Sequence, residues 1–134
     1  MTRKVLIIDD DHDLLEMYGQ KFSGAGFSVE KAENGAWGLK RIKENKFDIV
    51  LLDMAMPAMN GLEMLKAIKE EKEANGYPKI IALSNTALDS EIKEMGEAGA
   101  DRCYIKIKVT PAEICAEAIK LLNTKNGSKK SYPH

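Results

Sequence analysis

The sequence of 134 residues lacks most features of a secreted or membrane-bound chain. Its two cysteines, Cys103 and Cys115, stand outside any CxxC or Cys/His metal pattern, which predicts free thiols in a reducing compartment. No apolar run reaches membrane-spanning length, and residues 1–4 show no signal-peptide pattern. The formal net charge of −1 excludes the basic footprint of typical nucleic-acid-binding domains. We therefore expect a cytoplasmic domain without direct contact to nucleic acid or membrane.

The most informative segment is the apolar run Ile49–Leu52, which leads into Asp53 and then, four residues later, Pro57. An uninterrupted apolar run is typical of a strand that is buried on both faces of a parallel sheet. Pro57 cannot continue such a strand. Asp53 is therefore predicted at the carboxyl end of a central strand, which is where open α/β sheets place their functional groups.

Four further strand-like segments, at residues 5–8, 27–32, 79–83 and 102–105, alternate with five helical patterns. The predicted apolar helix faces are Leu14, Leu15, Tyr18 and Phe22; Ala36, Leu39 and Ile42; Met64, Leu65 and Ile68; Leu88, Ile92 and Met95; and Ile114, Cys115, Ala118, Leu121 and Leu122. This alternation predicts an α/β fold, a doubly wound five-stranded parallel sheet with five helices. Residues 1–123 form the predicted domain, and residues 124–134 are expected to be a flexible tail or the start of a linker.

Parallel strands bring all their carboxyl ends to one edge of the sheet, so residues that are distant in sequence should meet there. Asp9, Asp10 and Asp53 supply carboxylates at this edge, Ser84 a hydroxyl and Lys106 a positive charge. Carboxylate oxygens are the hard ligands that Mg²⁺ prefers. Asp53 is the candidate nucleophile, since aspartate can form a covalent phosphoryl intermediate.

Several short motifs in this order and spacing resemble one family. They are Ile8-Asp9-Asp10, the segment Leu52–Gly61, Ala82-Leu83-Ser84, and Gly99-Ala100-Asp101 followed by Lys106. Together they resemble the receiver domain of two-component response regulators over residues 4–123. The resemblance implies a flavodoxin-like, CheY-like sheet with strand order 2-1-3-4-5.

The resemblance also implies a role for each site residue. Asp53 would accept a phosphoryl group from a histidine kinase or a histidine phosphotransfer protein. Asp10, Asp53 and the backbone carbonyl of Ala55 would bind Mg²⁺ or Mn²⁺ directly, with Asp9 acting through a metal-bound water. Lys106 would pair with the phosphoryl oxygens. The domain would be a regulatory phosphoacceptor, and at most a weak catalyst of its own modification.

Ser84 would be the switch residue that reports the phosphoryl group to the surface of the fourth helix, fifth strand and fifth helix. A downstream protein, or a second copy forming a homodimer, would bind that surface. Cys103 stands where the family often has a switch aromatic, and Tyr104 is expected on the opposite face of its strand. The inward swing of a ring should therefore be absent or weaker.

Three further positions depart from the family pattern. Ile107 follows Lys106 where the family usually has proline, and Asn85 follows Ser84 where a very small residue is usual. Ala55 and Thr86 stand where family side chains help to position the hydrolytic water. Because alanine cannot do so, we expect slow self-dephosphorylation.

Two alternative functions compete with this one. A binding module that keeps the fold but works without phosphate would be compatible with Asn85, Cys103 and Ile107. An enzyme on the same fold is disfavoured, because a haloacid-dehalogenase-type phosphatase needs an aspartate where Ala55 stands. A flavodoxin-type flavin site needs a phosphate-binding loop where this chain has Asp9, Asp10 and Asp11.

Overall fold

The computed structural model describes residues 2–57 and 60–124. Five strands alternate with five helices along the chain. In order they are β1 (Lys4–Ile8), α1 (His12–Gly24), β2 (Ser28–Ala32), α2 (Gly35–Glu44), β3 (Ile49–Asp53), α3 (Gly61–Asn75), β4 (Lys79–Ser84), α4 (Asp89–Glu97), β5 (Arg102–Ile105) and α5 (Pro111–Asn123). One turn of 3-10 helix, Lys106–Lys108, joins β5 to the loop before α5.

All neighbouring strands are parallel, and their order in the sheet is β2-β1-β3-β4-β5. This order confirms the predicted doubly wound sheet. The central strand β3 is buried along its whole length, as its uninterrupted apolar sequence predicted. Strand β2 lies at an edge, and only its last residue, Ala32, is buried.

Helices cover both faces of the sheet, and each face has its own apolar cluster. Residues of α1 and α5, such as Phe22 and Ile114, pack on one face. Residues of α2, α3 and α4, such as Ile42, Leu65 and Met95, pack on the other. We call these the α1/α5 face and the α2–α4 face.

The strands alternate strictly between these two faces, as the period of two in a β-strand requires. The residues on the α1/α5 face are Val5, Ile7, Ile49, Leu51, Ile81 and Leu83. Those on the α2–α4 face are Leu6, Ile8, Val50, Leu52, Ile80 and Ala82. A residue that directly continues a strand in extended conformation keeps this alternation. The alternation therefore determines which sheet face such a residue points to at the carboxyl edge.

Side-chain caps fix where several helices begin. Asp11 accepts the backbone N–H groups of Asp13 and Leu14 at the start of α1. Thr110 and Glu113 form the capping box that the sequence predicts for α5, with proline at the next position. None of the helices in the described residues is long and apolar enough to cross a membrane.

Two expected apolar positions are wrong. Ala36 is exposed, and Gly38 takes its place against the sheet, because a Cβ at Gly38 would lie 2.5 Å from Ile8 Cδ1. Leu88 is 61% exposed, since it is the residue before the first turn of α4 rather than part of its buried face. Helix α5 ends at Asn123, and of the tail expected over residues 124–134 all but Thr124 lies outside the described residues.

Candidate functional site

The candidate site forms where β1, β3 and β5 end. Asp53 is the last residue of β3, Asp9 and Asp10 directly follow β1, and Lys106 directly follows β5. Because β1 and β3 are neighbours in the sheet, their terminal carboxylates are brought side by side. Lys106 extends from the edge strand across β4 to reach them.

Lys106 bridges two buried carboxylates. Its Nζ lies 3.0 Å from Asp9 Oδ2 and 3.0 Å from Asp53 Oδ2. Asp9 and Asp53 are only 1% and 2% exposed. Asp9 and Asp53 continue the odd-numbered series of β1 and β3, whose other members lie on the α1/α5 face.

The second oxygen of each carboxylate is held by the backbone. The N–H of Ala55 donates to Asp53 Oδ1 at 2.9 Å, and the N–H of Asp11 donates to Asp9 Oδ1 at 2.9 Å. Each carboxylate is therefore held at both oxygens. Such fixed orientation is what a pre-organised reactive group requires.

The site has more negative than positive charge. Asp9, Asp10 and Asp53 each offer a carboxylate oxygen, and these atoms all lie within 4.8 Å of one another. Three carboxylates and one lysine have a formal charge of −2. Desolvation raises the pKa of Asp9, although the Asp11 N–H and Lys106 act to lower it. The arrangement is that of a site which gains stability from a divalent cation.

Lys106 stays positively charged despite its surroundings. Burial acts to lower its pKa, but the hydrogen bonds and charges of Asp53 and Asp9 outweigh burial, so the pKa lies above the ordinary value. The oxygen-only donor set of the three aspartates fits Mg²⁺ or Mn²⁺ rather than a thiolate-seeking or imidazole-seeking metal.

Ser84 is the last residue of β4, the strand between β3 and β5. It is 5% exposed at the end of β4, and its Oγ accepts the backbone N–H of Thr86 at 3.0 Å. A cavity of about 340 Å³ adjoins it, bordered by the residues after β3, the start of α3 and the face of α4. The expected switch serine and the two residues that follow it therefore border this cavity.

The other expected switch position, Cys103, is 1% exposed on the α2–α4 face. Tyr104 points to the α1/α5 face, as strand alternation predicts, and its hydroxyl donates to Glu117 at 3.2 Å. Burial and then the charge of Glu117 raise the pKa of Tyr104 to about 12. Ile107, in the turn after Lys106, is 88% exposed.

The sequence did not predict two features of the site. One is the sharing of Lys106 between Asp53 and Asp9, which depends on side-chain conformation. The other is Tyr18, which the helical pattern identified only as a core residue of α1. Burial raises the pKa of Tyr18, with smaller effects from the charges of Lys106, Asp9 and Asp53.

Comparison with known proteins agrees with this geometry. Residues 5–119 match the family model of the response regulator receiver domain. The chain belongs to that family. The receiver domain protein (CheY-like) of Methanospirillum hungatei superposes with a TM-score of 0.80 at 27% identity, covering 98% of this chain and all of the other.

Curated relatives are longer proteins. The transcriptional regulatory protein PrrA of Mycobacterium tuberculosis is 30% identical over 128 residues, covering 96% of this chain and 53% of PrrA. The DNA-binding response regulator MtrA of Mycobacterium leprae is 30% identical over 116 residues, covering 87% of this chain and 49% of MtrA. The receiver chain thus spans about half the length of these relatives. Because MtrA binds DNA, the expectation of no contact with nucleic acid is not supported.

Membership of the family has consequences for this chain. Receiver domains are regulatory parts of two-component systems rather than enzymes in their own right, and they work with kinases and downstream targets. Receiver domains bind Mg²⁺ at an acidic pocket, and this chain has a cluster of Asp9, Asp10 and Asp53 that could hold a metal ion.

Proposed function

We propose that this receiver domain is a phosphorylation switch in which Asp53 accepts a phosphoryl group from a histidine kinase or a histidine phosphotransfer protein. The observation that supports it most is Lys106 bridging Asp53 and Asp9 at the carboxyl edge of the sheet. Asp53 is a buried carboxylate beside the cation Lys106, in a cluster with surplus negative charge. These are the features that a phosphoryl acceptor assisted by a metal ion requires.

Asp10 and Asp53 would hold Mg²⁺ directly with the backbone carbonyl of Ala55, and Asp9 would bind a water of the metal. The metal supplies charge neutralisation for the incoming phosphoryl group. Asp10 is exposed while Asp9 and Asp53 are buried, so the ion would enter from the solvent side of Asp10.

The transfer step breaks the P–N bond of phosphohistidine and forms a bond between phosphorus and one carboxylate oxygen of Asp53. The ring nitrogen keeps the electron pair of the broken bond and takes a proton from solvent, so the histidine leaves as a neutral imidazole. Lys106 offers its ammonium group to a phosphoryl oxygen and so offsets the negative charge of the transferred group. The chain's own contribution is therefore position and charge.

Ser84 would turn its hydroxyl from the N–H of Thr86 to a phosphoryl oxygen. That movement would draw the β4–α4 loop toward Asp53 and change the surface formed by α4, β5 and α5. A downstream partner, or a second copy, would then bind one of two states whose populations the phosphoryl group shifts.

The experiment uses acetyl phosphate and Mg²⁺, with intact mass as the readout. Wild type and Asp13→Asn, an exposed carboxylate of α1, should gain one phosphoryl group, and Asp53→Asn should gain none. A wild-type chain that remains unmodified by acetyl phosphate and by a panel of kinases would contradict the proposal. That outcome would favour the alternative, a binding module that works without phosphate, for which the exposed Ile107 offers an apolar contact.

Ala55 gives a second test of the same proposal. Its methyl group cannot orient a hydrolytic water, so the phosphorylated chain should lose phosphate slowly. Ala55→Asn should shorten the half-life of the phosphoryl group several-fold, measured by mass after removal of the donor. An unchanged or longer half-life in this variant would count against the assigned role of position 55.

A further inference from the structure

The cavity of about 340 Å³ beside Ser84, which we call the α3/α4 cavity, has an apolar side made of Met54, Leu62 and Met95. Met54 and Leu62 pack against the apolar cluster of the α2–α4 face, and Met95 belongs to that cluster. Met54 also lies over the first residue of α3, since a Cβ at Gly61 would come within 2.6 Å of Met54 Cε. The glycine therefore leaves the room in which this methionine lines the cavity.

The α4 side of the cavity carries two glutamates. Glu91 and Glu94 are exposed, line the cavity and are neighbours on the helix surface. Neither forms an ion pair with another described residue. The described lining includes no lysine or arginine. The cavity therefore attracts a cationic group and repels phosphate, so a basic segment fits it and a nucleic acid does not.

The size of the cavity indicates what kind of apolar group it takes. Pockets for small molecules and cofactors span roughly 300–1,000 Å³, and this cavity is at the lower end of that range. Methionine side chains are unbranched and polarizable, so Met54 and Met95 adapt to apolar groups of different shape. A peptide segment with one large apolar side chain and a nearby lysine or arginine matches both the methionines and the glutamates.

The cavity also borders the proposed switch. Ser84 lines it, and so does Met54, which directly follows Asp53. The N–H of Met54 donates to the carbonyl of Leu83 at 2.8 Å, so the loops after β3 and β4 begin side by side. A movement of Ser84 toward a phosphoryl group on Asp53 brings these loops closer together and narrows the cavity that both of them border.

We propose that the α3/α4 cavity docks a basic, apolar segment of a partner protein while Asp53 is unmodified, and that phosphorylation of Asp53 weakens this docking. The docking is supported by the cavity and its charges alone, whereas the effect of phosphorylation rests on the proposed function. Because coupling between two sites is reciprocal, a bound segment disfavours the phosphorylated state by the same factor.

Three capped hexapeptides serve as probes. Ala-Phe-Ala-Ala-Arg-Ala carries a ring and a basic group, Ala-Phe-Ala-Ala-Glu-Ala reverses the charge, and Ala-Ala-Ala-Ala-Arg-Ala lacks the ring. Binding is followed through ¹³C-labelled methionine methyl groups, assigned by replacing Met54 and Met95 in turn with leucine. The first peptide should shift both resonances in a saturable way and leave that of Met17, exposed on α1, unmoved. The other two should bind at least about 5-fold more weakly.

The glutamates are tested against a matched position of the same helix. The double variant Glu91→Gln with Glu94→Gln should bind the first peptide about 5-fold more weakly than wild type, the loss expected for two exposed ion pairs. Glu97→Gln, which changes an exposed glutamate of α4 that does not line the cavity, should bind like wild type. Equal binding by all three proteins, or shifts that do not saturate, would overturn the docking site.

Beryllofluoride with Mg²⁺, a mimic of the phosphoryl group, tests the effect of phosphorylation. It should raise the dissociation constant of the first peptide by about 5-fold or more, as typical couplings do, and Asp53→Asn should remove this effect. A chain that acetyl phosphate modifies, but that binds the peptide equally with and without beryllofluoride, would overturn the coupling alone. A chain that no donor modifies, but that binds the peptide, would overturn the proposed function and support the docking site.

Discussion

Two buried aspartate–lysine pairs in this receiver domain have the same chemistry and different surroundings. Asp101, 4% exposed, accepts from Lys72 Nζ at 2.6 and 2.7 Å through its two oxygens, and its Oδ2 also accepts the N–H of Ile80. Asp53 accepts from Lys106 at 3.0 Å, and shares that lysine with Asp9.

The difference between the pairs is charge balance. The Asp101–Lys72 pair is neutral and saturated, and it ties the last turn of α3 to the beginning of β4 and β5. The Asp53 site has three carboxylates for one lysine and lies at the opposite edge of the sheet. The neutral Asp101–Lys72 pair, which we call the closed pair, stabilises the fold. The cluster of Asp9, Asp10 and Asp53, which we call the open cluster, has surplus negative charge that a bound cation would neutralise.

The largest effect is expected from Lys72→Ala, which leaves the Asp101 carboxylate buried without its cation. The free energy of unfolding should fall by about 3 kcal/mol, as for other broken buried pairs. Urea denaturation measures it. Lys69→Ala, which removes an exposed lysine of the same helix 3.8 Å from Glu73, should change stability little. Equal losses in the two variants would show that the buried Asp101–Lys72 pair stabilises the protein no more than the Lys69–Glu73 pair.

Magnesium should stabilise the open cluster. At a Mg²⁺ concentration tenfold above its dissociation constant, the free energy of unfolding should rise by about 1.4 kcal/mol. Urea denaturation with and without Mg²⁺, at matched ionic strength, measures the gain. Asp10→Ala should lose most of it, and Asp13→Asn should keep it. A gain of the same size in Asp10→Ala would place the ion elsewhere.

Asp53→Asn should stabilise the metal-free protein, because it removes one of the like charges around Lys106. We expect a gain of about 1 kcal/mol in the free energy of unfolding. The same change at the closed pair, Asp101→Asn, should lower the free energy of unfolding. Thermal and urea denaturation of both variants in a chelator give the two signs. A change of the same sign in both variants would contradict the difference in charge balance between the two pairs.

The smallest effect concerns pH. The pKa of Asp9 is raised in the folded protein from 3.8, so the native state binds a proton more readily than the unfolded chain. Its protonated form therefore contributes stability below pH 3.8, and that contribution is lost as pH rises through the folded pKa. In a chelator, the free energy of unfolding of Asp9→Asn should therefore rise relative to that of wild type as pH increases through this range. A difference that stays constant with pH would contradict the shift.

Much of the fold followed from local sequence patterns. The uninterrupted run of β3, the Thr110 capping box and the Asn60–Gly61 start of α3 each specify their element through short-range physics. Ala36 and Leu88 were misplaced, because helix phase near a cap depends on how closely the helix approaches the sheet. At Gly38 that approach leaves no room for a Cβ.

The site was predictable to the extent that topology determines it. Parallel order alone places Asp9, Asp10, Asp53 and Lys106 at one edge, and the structure brings them together. The bond from Lys106 to Asp9 and the hydrogen bond from the Asp11 N–H to Asp9 depend on side-chain conformation and on where α1 begins. No spacing along the chain encodes either feature.

Asp11 has two roles that link the site to a helix. Its own N–H holds Asp9, while its side chain receives the first free amides of α1, those of Asp13 and Leu14. A rotation of Asp9 toward a metal therefore pulls on the peptide that anchors this helix. Hydrogen exchange at the first turn of α1 would consequently report the state of the aspartate pocket, even though those amides never meet the ion.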